Sequence, residues 1–246
     1  MRKPKLNLPL KTIAIIFVIF LALISVIGYI LRVLETSDYF TVKDIISKEG
    51  DTSRLSYLKG KNMFSIDLKN EAGYISQYYP NIKSVKLTRL LPDRIFADFI
   101  KRKPVAFVKL YRYFSVDQDG VIFYTPEEGQ DLDLPVISGL ETKIFGPKPG
   151  KRYNTRELAF ALNIISEFRG NRALRNYRLK KIDVGNSTNA SILIERESEN
   201  LEVRLGPENI KDKLAILAAL VIQAKNDLAK IKYIDLRFKE PVIKFK

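Results

Sequence analysis

The sequence predicts an α+β protein with a single N-terminal transmembrane helix followed by two domains. The first domain follows the order β-α-α-β-β, and the second is mostly antiparallel β with two amphipathic helices. Three observations lead to this prediction. Residues 12–31 form an uncharged apolar run. Alternating apolar and polar residues, typical of strands, recur through the remainder, and two stretches of the second half place apolar residues at helical spacing.

The apolar run reads TIAIIFVIFLALISVIGYIL. At about 1.5 Å of rise per residue, a helix of this length spans about 30 Å, which is the thickness of a bilayer's hydrocarbon core. A cleaved signal sequence usually has an apolar core of about 7–15 residues followed by a small-residue cleavage site. The run here is longer and no such site follows it. We therefore expect a retained transmembrane helix over residues 12–34.

The flanks of this helix predict its orientation. Residues 1–11 contain no acid and four bases, namely Arg2, Lys3, Lys5 and Lys11. Cytoplasmic segments beside a span carry the excess of Lys and Arg, so residues 1–11 should form a cytoplasmic tail. Everything after the helix is then expected outside the cytoplasmic membrane.

Composition limits the chemistry of the exported part. The chain has 42 Lys and Arg, five of them at or before Arg32, and 28 Asp and Glu, all after it, which leaves an excess of nine positive charges outside. Such a surface suits anionic lipid headgroups or acidic wall polymers, whereas export makes nucleic acid a poor candidate. The chain has no His and no Cys. Disulfides, Ser-His-Asp and Cys-His nucleophiles and typical zinc sites are thereby excluded. Most hydrolase mechanisms are ruled out with them, and we expect no metal or cofactor.

The first domain is predicted over residues 38–103. Asp67 should cap a helix over residues 68–79, which Pro80 ends. A turn is expected at residues 60–62 and another at residues 91–93. The remaining predicted elements are strands at 40–46, 82–87 and 94–100 and a short helical piece at 54–58.

The second domain is predicted over residues 104–246. Asn154 and Glu157 resemble a capping box at the start of its first helix, which Gly170 closes. Pro207 is expected at the first helical position of its second helix, in which apolar residues recur at helical spacing from Ile210 to Leu228. Asp119-Gly120 should form a hairpin turn, and residues 126–133 a polar loop. The predicted strands are 106–110, 113–116, 121–124, 178–184, 190–194, 201–205, 231–238 and 242–246.

Two motifs could suggest chemistry. Residues 56–59 fit the S-x-x-K of penicillin-recognising enzymes, but the S-D-N and K-T-G triplets that accompany it are missing. Asp117 and Asp119 could belong to a calcium loop or a carboxylate pair. Pro126 stands where a calcium loop needs Glu, so a hairpin is favoured.

The last strand is the stretch with the clearest capacity to bind a partner. The chain ends directly after it, which predicts a sheet edge whose unpaired backbone groups could accept a strand. Lys244 and Lys246 could equally protect the edge against such pairing. The residues alone leave both interpretations open.

Several segments, taken in order, resemble the FtsQ/DivIB family of bacterial division proteins. The segments FTV (40–42), GKNMFSID (60–67), YPNIKSV (79–85) and LPD (91–93) resemble the family's POTRA domain. Later parts of the family's sequence are similar to four further segments of this chain: RKPVA (102–106), VDQDGVIF (116–123), LPVISGL (134–140) and YIDLRF (233–238).

The resemblance implies a function without catalysis. Family members sit in the bacterial cytoplasmic membrane at the division septum. They bind FtsB (or DivIC) and FtsL and help to recruit and regulate septal peptidoglycan synthesis, so no small-molecule substrate is expected. Carried across by position, the partner-binding residues would be Tyr233, Leu236, Arg237, Phe238, Lys239, Val242, Ile243, Lys244 and Phe245. This chain departs from the family pattern at Phe238, where the family has another aromatic, and at Glu240-Pro241.

Two other functions fit the sequence less well. A membrane-anchored cell-wall enzyme would need a pair of catalytic carboxylates, and none stands out. A POTRA-bearing transport component would need repeated POTRA units or a long run of barrel strands, for which residues 104–246 are too short.

Overall fold

The computed structural model describes residues 10–48, 52–125, 133–186, 189–224 and 228–246. Its first element is α1, Leu10–Thr36, which contains the predicted transmembrane segment. Within the described residues, α1 is the one helix long and apolar enough to cross a membrane, with a mean hydropathy of 3.0 over its most apolar stretch. Its apolar side chains are exposed rather than packed into a core, as a membrane-spanning helix requires.

The described chain forms two compact units, and the second takes in Gln77–Lys83 and everything from Lys101 onward. Besides α1, the first unit holds α2, three strands and a 3-10 turn at Thr52–Leu58. The bounds are β1 Asp44–Ser47, α2 Leu68–Tyr78, β2 Ile82–Leu90 and β3 Arg94–Lys101. The sheet order is β1-β3-β2, with β1 parallel to β3.

Local sequence signals explain most of the first unit. Asp67 caps α2 as predicted, since its Oδ1 accepts hydrogen bonds from the backbone N–H groups of Lys69 at 3.0 Å and Asn70 at 3.1 Å. The side chains that fill the core are fully buried: Leu55, Leu58, Met63, Ile75 and Ile95.

The predicted strand at residues 40–46 is wrong over its first half. Asp38–Phe40 form a 3-10 turn, and the strand begins only at Asp44. Between them, Val42 donates to the carbonyl of Lys61 and accepts from the N–H of Gly60, both at 2.9 Å. These bonds tie the segment to a turn instead of to the sheet. The alternating apolar pattern of residues 40–46 does not tell whether their backbone bonds to a strand or to a turn.

The second unit is built on a nine-stranded sheet. The strand order is β12-β11-β10-β9-β8-β7-β4-β5-β6. Five pairs are antiparallel, while β4/β7, β7/β8 and β10/β11 are parallel. The bounds are β4 Ala106–Lys109, β5 Tyr113–Val116, β6 Ile122–Phe123, β7 Val136–Ser138, β8 Arg178–Asp183, β9 Ala190–Arg196, β10 Glu199–Leu205, β11 Ile231–Asp235 and β12 Val242–Phe245.

Two amphipathic helices pack against this sheet, as predicted: α3, Arg156–Gly170, and α4, Ile210–Gln223. Their N-termini differ from the prediction. Thr155, not Asn154, caps α3, because its hydroxyl accepts from the N–H of Leu158 at 3.2 Å. Pro207 is not helical, since α4 begins after Asn209, which takes a left-handed conformation. Residues 126–132 of the predicted polar loop and residues 225–227 lie outside the described residues.

The two rims of the sheet are different. Beside β6 runs a returning segment, in which Gly150 donates to the carbonyl of Ile122 at 2.8 Å and Ile122 donates to Lys151 at 3.2 Å. An isolated bridge joins Val121 to Arg152 on the same side. At the other rim lies β12, and within the described residues its outer side pairs with no strand. The predicted position of the last strand at a sheet edge is thus confirmed.

Candidate partner-binding edge

Backbone geometry determines which groups of β12 face outward. The strand is antiparallel to β11, with Ile234 opposite Ile243 and Asp235 opposite Val242. Beyond its end, Lys246 donates inward to the carbonyl of Lys230 at 2.9 Å. Inward and outward backbone groups alternate along an antiparallel strand. Lys244 and Val242 therefore also bond inward, and the N–H and C=O groups of Ile243 and Phe245 point away from the sheet.

A β-bulge in β11 lies beside this edge. Lys232 is the extra residue, since Ile231 pairs with Phe245 while Tyr233 pairs with Lys244. Because of the insertion, both Ile231 and Ile234 reach the core, at 2% and 0% exposure. Bulges increase the local twist of a strand and are common at sheet edges and functional sites.

The side chains of β12 alternate between the two faces of the sheet. Ile243 packs partly against the core on the helix-covered face, and by alternation Phe245 projects to that same face. Val242 and Lys244 project to the open face, next to Asp235 and Tyr233. Val242 and Phe245 are about half exposed. The edge therefore offers an apolar side chain on each face and one lysine.

Between β11 and β12 the chain forms an exposed segment. Phe238 is 62% exposed. Lys239 and Glu240 are exposed as well. The guanidinium of Arg237 lies 5.6 Å from the centre of the Phe238 ring. This segment places an exposed aromatic ring beside the open strand.

An internal ion pair holds the segment in place. Asp235 is 4% exposed, and its carboxylate accepts from Arg237 Nε at 2.9 Å and from Nη2 at 2.6 Å. Arg237 Nη1 donates to Asn189 Oδ1 at 2.9 Å. The side-chain hydrogen bond from Arg237 is the main cause that lowers the pKa of Asp235 and outweighs its burial, and the same bond raises the pKa of Arg237. The donors of Arg237 are thus mostly used inside the protein.

Tyr233 belongs to a charged group on the open face of the sheet. The guanidinium of Arg204 lies 4.0 Å from the centre of its ring, and Arg204 Nε donates to Glu202 at 3.0 Å. Tyr233 is half-buried and Arg204 lies on the neighbouring strand. A cation over an aromatic face stabilises both side chains.

The structure brings the predicted binding residues together at one edge, with one exception. Leu236 is 2% exposed and packs in the core, while its N–H donates to the carbonyl of Arg204 at 2.9 Å. Its side chain is therefore unavailable to a partner, because it lies two residues after Ile234 and projects to the same core face. The prediction did not include Arg204 and Asn189, which lie on other strands and turns and are linked to the edge only by the fold.

Asp117, the first acid of the hairpin motif, has a structural role. Asp117 Oδ1 accepts from the N–H of Val121 at 2.9 Å, and Oδ2 pairs with Arg102 Nη1 at 2.7 Å. Gly120 has a positive φ of 77°, as the hairpin turn requires. Among the described residues there is no group of three or more side chains of the metal-binding types.

Residues 106–237 match the model of the family described as cell division protein FtsQ/DivIB, C-terminal. That range covers more than half of the chain. The chain belongs to the FtsQ/DivIB family. The match contains the Asp235–Arg237 pair and ends before β12, so the terminal strand of this family member lies beyond the matched range.

Curated FtsQ relatives extend the similarity to the N-terminal half. The cell division protein FtsQ of Syntrophotalea carbinolica is 26% identical over 219 residues, which cover 86% of this chain and 76% of the relative. FtsQ of Geotalea daltonii is 24% identical over 235 residues, covering 90% and 83%. FtsQ of Koribacter versatilis is 25% identical over 197 residues, covering 79% and 53%.

Proposed function

We propose that this FtsQ/DivIB family member is a non-catalytic scaffold of the bacterial division septum. Helix α1 anchors it in the cytoplasmic membrane, with residues 1–11 in the cytoplasm and both units outside. It binds an FtsB/DivIC-like and an FtsL-like membrane protein, and through them it helps to recruit and regulate septal peptidoglycan synthesis. Residues 38–103 act as the POTRA domain and support localisation, and residues 104–246 bind the partner.

One observation carries the proposal: β12 ends the sheet with the backbone groups of Ile243 and Phe245 directed outward. A strand of the FtsB-like partner adds to this edge. Main-chain hydrogen bonds then supply affinity, and side chains on alternate faces supply specificity. The partner strand extends the sheet without any rearrangement of β11, which is already paired on both sides.

The side chains beside the edge set the chemistry of the partner. Phe238 is the anchor, because an exposed aromatic ring held by a neighbouring ion pair loses little conformational freedom on binding. Phe245 and Ile243 favour an apolar side chain on the helix-covered face. Lys244 and Lys239 favour an acidic residue on the partner and speed its association.

The proposal is tested by co-purification of the full-length chain with the FtsB-like and FtsL-like proteins of the same organism. We expect a stable complex with the full chain and its loss when residues 242–246 are deleted. Equal complex formation by the truncated chain would show that the edge is not the binding site. A reporter fused after Lys246 should be active only outside the cytoplasm, and cytoplasmic activity would refute the orientation.

The absence of catalysis is tested separately. The purified chain, incubated with isolated peptidoglycan, is expected to release no soluble wall fragments. Release of fragments would favour a wall enzyme instead.

A further inference from the structure

The end of α1 is bonded to the first globular unit. The side-chain amide of Asn62 donates from Nδ2 to the carbonyls of Leu34 and Ser37, both at 2.9 Å. The last carbonyls of a helix have no partner within the helix and need one from outside. Asn62, which lies in the turn after the 3-10 segment Thr52–Leu58, supplies it from a position 25 to 28 residues further along the chain.

Other bonds make this joint stiff. Asn62 Oδ1 accepts from the N–H of Phe64 at 2.8 Å, which orients the amide. The N–H of Met63 donates to the carbonyl of Phe40 at 2.9 Å, and Thr41 forms a bridge with Asn62. Only Ser37 separates α1 from the next 3-10 turn. The connection between helix and unit is therefore a bonded joint and not a free linker.

With the hydrocarbon core ending at Leu31, the joint falls at the depth of the lipid headgroups. Leu31 ends the uncharged run, and Ser37 follows six residues later, which is about 9 Å of helix rise. The headgroup layer on each side of a bilayer is about 5–8 Å thick. The carbonyls that accept from Asn62 belong to Leu34 and Ser37, which follow Leu31 by three and six residues. The turn that carries Asn62 is thus placed inside or at the outer boundary of this layer.

The surface around the joint carries several aromatic side chains and a lysine, next to the exposed acids Glu35 and Asp38 and to Glu71, which accepts a hydrogen bond from the Tyr57 hydroxyl. Tyr39 is 67% and Tyr57 43% exposed. Phe40 contacts both Tyr39 and Phe64, with ring centres 5.2 and 5.1 Å apart. Lys61 Nζ lies 5.4 Å from the centre of the Tyr57 ring. Aromatic rings with a polar edge favour the headgroup region, and cations near them bind phosphate.

We infer that the surface of Tyr39, Phe40, Tyr57, Lys61 and Phe64 docks onto the phospholipid headgroups of the membrane that α1 spans. This headgroup-docking surface holds the first unit at a fixed angle to the bilayer, with Asn62 as the joint. The inference rests on the proposed membrane anchoring by α1. It goes further, because a single span by itself sets no angle between a membrane and the unit outside it.

The chain contains no cysteine, so single cysteines can carry a fluorescent label in the full-length protein. Two exposed serines of the first unit form a matched pair. Ser65 donates to the carbonyl of Asn62 at 2.8 Å, whereas Ser84 lies on β2 five residues before Arg89, about 17 Å along the strand. Arg89 in turn donates to the carbonyl of Met63 at 2.8 Å, next to the joint.

The label is placed by Ser65→Cys or Ser84→Cys in full-length protein in nanodiscs of phosphatidylcholine and phosphatidylglycerol. Lipids with a nitroxide on the headgroup serve as the quencher. We expect quenching several-fold stronger at position 65 than at position 84. Equal quenching at the two positions would overturn the inference.

A third position separates this failure from failure of the anchor. Ser25 lies in the middle of α1, so Ser25→Cys reports insertion through quenchers attached to the acyl chains. A quenched label at 25 with equal signals at 65 and 84 would leave the anchor intact and reject only the docking surface. No quenching at 25 would reject the anchor itself.

The role of the joint is tested by spin labels at positions 25 and 84 together. The distribution of distances between them should be narrow and should broaden in Asn62→Ala. Asn70→Ala is the matched control, since Asn70 lies on α2 and bonds to Asp67, the cap of that helix, and not to α1, and it should leave the distribution narrow. An unchanged distribution in Asn62→Ala would show that Asn62 does not fix the angle.

Discussion

Arg237 reaches back two residues to Asp235, with Nη2 2.6 Å from Oδ2 and Nε 2.9 Å from Oδ1. The carboxylate sits at the end of β11, and its buried position keeps water from competing with the guanidinium. The pair thereby fixes the start of the segment that presents Phe238. It is a positioning device next to the proposed binding edge.

Asp235→Asn should destabilise the second unit at neutral pH by about 1–3 kcal/mol, the cost of weakening a buried charge-assisted bond. The pKa of Asp235 is lowered from 3.8 in the folded chain. Its contribution to stability is therefore complete above pH 3.8 and is lost as the pH falls through the lower, folded-state value. Urea unfolding followed by circular dichroism from pH 6 to pH 2.5 measures this. The difference between wild type and variant should shrink below pH 3.8, and a constant difference would contradict the assignment.

Ile243→Pro should abolish binding of the partner strand while the unit stays folded. Proline removes an N–H, and at position 243 that N–H points outward. Lys244→Pro is the matched control, because the N–H of Lys244 bonds to β11 and its loss should loosen β12 itself. Partner affinity and thermal unfolding should be measured for both. Equal unfolding temperatures for the two variants would show that the N–H groups of Ile243 and Lys244 do not point to opposite sides of β12.

Phe238→Ala should weaken partner binding by tenfold or more, which corresponds to about 1.4 kcal/mol or above for an aromatic anchor. Stability should hardly change, because the ring is mostly exposed. Phe145→Ala is the control, since Phe145 is another exposed phenylalanine of the same unit, 79% accessible. Titration of the labelled partner should show no loss for Phe145→Ala, and an equal loss in both variants would exclude a specific anchor.

Gly139→Ala should strongly destabilise the second unit, by about 3 kcal/mol or more. Gly139 has a φ of +87°, and an added Cβ would lie 2.1 Å from the nitrogen of Gly185. Gly170→Ala is the comparison, because a Cβ there meets nothing within 4 Å. Thermal unfolding should fall sharply for the first variant only. A tolerated Gly139→Ala would mean that the two turns can move apart.

The elements that can be predicted from the sequence are those whose signals are local. The charge-free run, the Asp67 cap and the alternation of the last strand each depend on a few neighbouring residues, and the structure contains all three. Side chains two residues apart on a strand share a face. The spacing of Asp235 and Arg237 is therefore itself a sequence signal for their ion pair.

The rest depends on contacts between distant residues. Strand β7 has only three residues between Pro135 and Gly139, too few for a periodic pattern, and it exists because β4 and β8 pair with it on both sides. The start of β1 differs from the prediction because Val42 bonds to the predicted turn at residues 60–62 and not to a strand, a pairing that alternation does not reveal. The resemblance places Leu236 among the contact residues, yet Leu236 lies in the core because it continues the alternation of Ile234 and projects to the same face.

The two rims of the nine-stranded sheet differ, and this difference affects how copies of the chain could associate. A chain whose sheet could grow at both borders would be able to join copies head to tail into an endless fibre. Here the returning segment at residues 150–152 bonds to the β6 side of the sheet. The opposite border is β12, whose outer side is unpaired within the described residues. Within the described residues, this sheet thus has an unpaired strand at one border alone, and copies of the chain have no second open border of it through which to join head to tail.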